Sequence, residues 1–163
     1  MSDSLGRLDS GLVNLSSEVL GTLPVLRGDL LEFPAGVPGF PAARTWALLP
    51  APREGVYWLQ SADYSALAFL LVDPFLYFPE RYQVELSNAE LARLGSPGLQ
   101  DIIVLAIVTM PPHRGESCTA NLQAPLLFNL RERQAFQSIR TDDGYSVREA
   151  FDLDLLASTA VAG

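Results

Sequence analysis

Cysteine and histidine each occur once in this chain, and Cys118, His113 and Asn121 lie within one short stretch of it. A thiolate needs an imidazole to take its proton, and the imidazole needs a hydrogen-bonding partner to orient it, so these three residues are the one nucleophile, base and orienter set that the sequence offers. No family signature surrounds the cysteine, and such sites are assembled by the fold rather than by neighbours in sequence. A small residue entering a strand is the simpler reading of Cys118. One cysteine and one histidine also exclude an internal disulfide and a His/Cys cluster for zinc. Among carboxylates, Asp142-Asp143-Gly144 has the composition of a turn, and Asp152 with Asp154 falls near the C-terminus. Gly36 and Gly39 stand between prolines, without the following lysine or helix start that phosphate cradling needs. The sequence therefore predicts no enzyme, no metal and no cofactor.

The elements that would position these residues are short. The 163 residues suffice for one domain with a real core, and 48% are apolar while only 18% are charged, which argues against intrinsic disorder. Apolar runs at Leu30 to Phe33, Trp46 to Leu49, Val56 to Gln60 and Ala66 to Val72 are separated by Pro, Gly and polar turns, the pattern of successive strands. Pro79 confines the stretch Phe75 to Phe78 to a loop or sheet edge. Ser87 with Glu90 three residues on is a capping box and opens a helix that Gly95 ends. Ile102 to Met110, rich in β-branched residues, reads as the central buried strand, with further strands at Leu122 to Leu130, Ala135 to Arg140 and Tyr145 to Arg148. These elements predict a mainly β fold, an antiparallel barrel or sandwich with one short surface helix.

At the N-terminus, Leu5, Leu8, Leu12, Leu15, Val19, Leu23 and Leu26 recur at steps of three and four, which suits one face of a helix, although Gly6, Gly11 and Gly21 weaken it. Residues 1–24 are thus read as an extension, either flexible or an amphipathic docking segment. Residues 25–150 form the barrel-like domain and 151–163 a tail.

Charge narrows the partners. The formal net charge is -8, and all 11 basic residues are arginine. A surface of that sign repels phosphate, so direct nucleic-acid or anionic-membrane binding is not expected, and the scattered aromatics lack the basic residues that a base-stacking platform requires. The apolar run at 102–110 is about half the length of a bilayer span, nothing at the N-terminus reads as a signal peptide, and a lone cysteine fits a reducing compartment, so a cytoplasmic protein is expected.

Six segments in order resemble one known family. Leu31-Glu32-Phe33-Pro34-Ala35-Gly36-Val37-Pro38-Gly39-Phe40, Ala68 to Phe75 with its Asp73-Pro74, Glu85-Leu86-Ser87 followed by Leu94-Gly95, Val104 to Thr109, Thr119 to Pro125, and Tyr145 to Arg148 look like the motifs of the FliW family. The resemblance implies a small β-barrel-like, non-catalytic cytoplasmic protein with two partners. One is flagellin; the other is CsrA, a small basic RNA-binding regulator that represses flagellin translation. It implies that Phe33, Phe40, Phe69 and Val72 are core and that Pro34, Pro38 and Gly39 shape the first turn. Partner contact is expected from the exposed carboxylates Glu80, Glu85, Glu116 and Glu132. Asp73 either caps a turn or meets a partner arginine, and Asn121 either satisfies its own loop or touches a ligand. The chain departs from the family pattern at Asn129-Leu130, Arg133-Gln134-Ala135 and Glu149-Ala150. These departures keep open a diverged homologue serving another secretion system, and a flavin-binding or Cys118-dependent barrel enzyme is the remaining alternative.

Overall fold

The structure, a computed structural model, describes residues 11–111, 113, 115–141 and 144–153. The Asp142-Asp143 pair, Asp154, and Leu5 and Leu8 of the leucine stripe lie outside the described residues.

Where the leucine spacing suggested a helix, the chain instead forms a hairpin of β1 (Leu12–Ser17) and β2 (Gly21–Leu26). The reason is local. Ser17 Oγ accepts from the N–H groups of Val19 and Leu20, at 3.2 and 2.9 Å, and Gly21 takes a positive φ of 81° that reverses the chain. Pro24 would break a helix interior but is tolerated in this two-stranded ribbon. Leu15 and Val25 are buried against Ala47, flanked by Leu23 and Leu49, so the hairpin is seated on the outer wall of the domain. Leu15→Ala is expected to cost about 2 kcal/mol and to lower the melting temperature by several degrees. A calorimetric melt indistinguishable from wild type would show that the hairpin contributes nothing to the fold.

The domain itself is a closed barrel. Its strands are β3 (Leu31–Glu32), β4 (Thr45–Pro50), β5 (Val56–Ser61), β6 (Ala68–Val72), β7 (Ile102–Thr109), β8 (Cys118–Ala120), β9 (Leu126–Asn129), β10 (Gln134–Gln137) and β11 (Glu149–Phe151). Hydrogen bonding follows the order β11-β8-β7-β6-β5-β4-β3-β10-β9, and a further β7–β9 ladder joins the seven strands β7, β6, β5, β4, β3, β10 and β9 into a ring. Strand β7 makes this possible by its length. Residues 102–105 pair with β9, while Val108 and Thr109 pair with β8, so one long strand closes the ring and also carries the β8–β11 flap. Inside the ring, Phe33 packs edge-on against both Trp46 and Phe128, with centroids 6.1 and 5.9 Å away, above Leu59, Leu71, Leu105 and Leu126.

Among the described residues two α-helices are present where one was expected. The predicted capping box is formed: Ser87 Oγ accepts from Glu90 N–H and Glu90 Oε1 from Ser87 N–H, opening α2 (Asn88–Arg93). The additional turn, α1 (Pro74–Tyr77), occupies the stretch assigned to a loop or edge; Pro74 at its first position and Asp73 as its cap explain it. The final strand runs over Glu149–Phe151 rather than Tyr145 to Arg148, and Phe151 and Leu153, assigned to a tail, are buried with Val72, Phe78 and Cys118. Phe40 also departs from expectation. It is 40% exposed, because Gly36 bends the segment after β3 so tightly that a Cβ there would lie 2.6 Å from the Phe40 carbonyl oxygen, which turns Phe40 toward the barrel mouth. Phe33 and Val72 are buried and Phe69 partly so, as expected.

Candidate functional site

A barrel filled with aromatic and leucine side chains leaves its loops as the surface for contact. Glu80 and Glu85 stand exposed on the strap between α1 and α2. That strap is pinned at Gln83 and Glu85. Tyr145 Oη accepts from Gln83 N–H at 2.8 Å and donates to its carbonyl at 3.2 Å, while Arg140 donates to the Glu85 carbonyl. The carboxylates of Glu80 and Glu85 are thus held on an ordered backbone rather than on a loose loop.

Beneath the strap lies the most connected polar cluster of the described residues. Ser138 Oγ and Arg140 both donate to Glu90, Arg140 Nη1 lying 3.2 Å from Glu90 Oε2 and 3.0 Å from Ser138 Oγ. Burial alone would push the Glu90 carboxyl up; the hydrogen bonds from Ser138 and the Ser87 N–H, with the Arg140 charge, outweigh it and hold the group below the ordinary glutamate value. The cluster ties α2 to the segment after β10 and so fixes where the strap sits.

The other predicted residues fall elsewhere. Glu132 is exposed in the β9–β10 turn, against Gly95 at the end of α2; the turn is anchored by Asn129, whose Nδ2 donates to the Leu94 carbonyl at 2.7 Å and whose Oδ1 accepts from the Arg131 and Glu132 N–H groups. Arg133 in this turn has a φ of 57°, at the departure from the family pattern, and its guanidinium pairs with Asp29 at 3.1 Å. Glu116 lies before β8 beside Arg53 and Asp152, in an open cleft of about 480 Å³ that Cys118 also lines. Asp73 is spent on capping α1, its Oδ1 accepting from Phe75 N–H at 2.9 Å. Asn121 Oδ1 accepts from the N–H groups of Gln123 and Ala124, which commits its amide to its own turn. Glu80 and Glu85 thus share one strap, Glu132 lies next to the end of α2, and Glu116 lies before β8. Cys118 Sγ faces Met110 Sδ at 3.7 Å.

Sequence reasoning did not find the apolar groove of about 440 Å³ at the barrel mouth, lined by Phe40, Pro41, Tyr64 and Leu67. The only signal was a phenylalanine following Pro-Gly, and without the bend at Gly36 it reads as core.

The fold is a closed seven-stranded barrel with a filled interior, so its loops and outer surface, and not a central cavity, are what it presents. The comparisons place it further. The family model described as FliW protein matches residues 14–151. The chain is 32% identical over 151 residues to the flagellar assembly factor FliW of Treponema denticola, covering 93% of this chain and 99% of that one. It is 37% identical over 138 residues to that of Syntrophomonas wolfei, covering 83% and 86%. A solved crystal structure of the flagellar assembly factor FliW superposes with a TM-score of 0.78 at 31% identity, over 85% of this chain and 96% of that one. The chain belongs to the FliW family of flagellar assembly factors.

Proposed function

We propose that this protein is a cytoplasmic, non-catalytic regulator that binds the translational regulator CsrA and so relieves repression of flagellin translation, and that it alternately binds flagellin. What carries the reading is the family match over residues 14–151 together with the formal charge of -8. A protein of this sign attracts a basic RNA-binding partner, and negative potential placed beside the RNA path weakens RNA binding without covering it. Glu80 and Glu85, exposed on the pinned strap with Glu132 on the neighbouring turn, are the carboxylates best placed to meet basic side chains, while Glu116 would act from a separate face.

Isothermal calorimetry with purified CsrA and purified flagellin tests the proposal: micromolar or tighter binding to each is expected, and no heat with either removes it. A Glu80→Lys/Glu85→Lys double variant is expected to bind CsrA about tenfold more weakly, with a shallower salt dependence, because charges at an interface rim act mainly on encounter and are screened by ions. Unchanged affinity in that variant would move the contact to the Glu116 face.

A further inference from the structure

The ladder that closes the barrel stops almost where it begins. β3 and β10 run parallel and register at a single pair, Glu32 with Gln134, next to which Glu32 N–H donates to the Arg133 carbonyl at 2.9 Å. The next rung would need an N–H from residue 34, and Pro34 has none. The chain leaves the sheet there, while β10 continues through Ala135, Phe136 and Gln137 with β9 on its other side. Successive residues of a strand offer their backbone groups to alternate edges, and Ser138 N–H bonds to the Pro125 carbonyl on the β9 side. The Gln137 N–H therefore faces the edge that β3 has vacated, while Ala135, only 2% exposed, is covered, and no strand among the described residues pairs with β10 there beyond Gln134.

Between that edge and the turn at 35–41 is a groove of about 230 Å³ with no carboxylate in its lining. Its one charged wall is Arg93, whose guanidinium lies over the Phe136 ring at 3.8 Å and makes no ion pair among the described residues. Stacking fixes the plane of the guanidinium and leaves its N–H edges for a carboxylate, a geometry that arginine satisfies in a bidentate manner.

We propose that this groove receives an extended peptide segment of a protein partner, one carbonyl of which accepts from the Gln137 N–H while an acidic side chain sits on Arg93. The backbone contact sets the position of the segment and the charge-assisted contact to the cation supplies selection. On a chain of net charge -8 an acidic segment is repelled by most of the surface, which concentrates its binding at this cation. The partner is opposite in sign to a basic RNA-binding protein, so the proposal stands or falls independently of CsrA binding.

The probes are three fluorescein-labelled pools of degenerate heptapeptides with a fixed central Glu, Gln or Arg, titrated by fluorescence polarisation. The Glu pool is expected to bind about tenfold more tightly than the Gln pool and the Arg pool not at all, since one charge-assisted bidentate contact is worth roughly that factor. Arg93→Gln, checked for an unchanged melt, should erase the preference, and Arg93→Lys should retain part of it. With a single binder drawn from the Glu pool, exchange of the Gln137 amide proton should slow at saturation. Equal binding of the three pools, binding by none, a preference that survives Arg93→Gln, or unchanged Gln137 exchange would each overturn the proposal.

Discussion

Phe33→Ala is expected to remove about 4 kcal/mol of stability, the scale for deleting a fully buried aromatic side chain and leaving its cavity. Phe33 is 0% exposed and makes edge-on ring contacts with both Trp46 and Phe128, so its ring joins β4 to β9 across the barrel interior. The segment carrying it is held to β4 by a short ladder and by the Phe33 N–H bond to the Arg44 carbonyl, but to β10 by a single pair. Since small domains are stable by only about 5 to 15 kcal/mol, the variant should be largely unfolded in modest urea, well below the wild-type midpoint. Phe33→Leu, which refills most of the volume, should recover the greater part of the loss. A wild-type urea midpoint for Phe33→Ala would contradict the packing described for the barrel interior.

Breaking the polar cluster under the strap should cost about half as much, and in a pH-dependent way. Arg140→Ala leaves Glu90, Ser138 and the Glu85 carbonyl without their shared donor, with an expected loss of about 2 kcal/mol near neutral pH. Glu90 has a folded-state pKa below its unfolded value, so the stability it contributes is fully present above the ordinary glutamate range and is lost as the pH falls through the lower, folded value. Urea midpoints measured from pH 7 downward should therefore show wild type falling below about pH 5, toward a Glu90→Gln variant whose own profile is flatter. Parallel profiles for the two proteins would show that the carboxylate is not held in its charged form by these partners.

The features that were legible in the sequence are those whose causes are local. The capping box at Ser87 and Glu90 was readable because both halves lie within one helical turn, and the strand of β-branched residues at 102–109 was readable from composition alone. The N-terminal hairpin was not, because the residues that pack inward, Val13 and Leu15 on one strand and Leu23 and Val25 on the other, follow a period of two that the leucine spacing of three and four masks, and the deciding facts are a serine accepting two backbone N–H groups and a glycine at positive φ. At the candidate site the carboxylates could be enumerated but not grouped. Arg140 meets Glu90 across 50 residues of sequence, and Tyr145 meets Gln83 across 62, contacts that only the closed barrel creates. Asp73 and Asn121, each read from the sequence as either closing its own turn or meeting a partner, both place a side-chain oxygen on their own turns. The cation over Phe136 carried no sequence signal, since the two residues belong to different elements far apart in the chain.

The one-pair seam between β3 and β10 also sets the order in which the chain can acquire its shape. Strands β3 to β7 pair with their sequence neighbours and can form as a meander while the chain is being made, but the free edge of β3 must wait for residue 134 to close the ring. A loop of about a hundred residues carries a large closure entropy, and contacts at that separation are the slow ones in folding. On the ribosome, a nascent chain stalled before β10 would hold an open, half-curled sheet with Phe33 unburied, and only synthesis past Gln137 would let the barrel close over it.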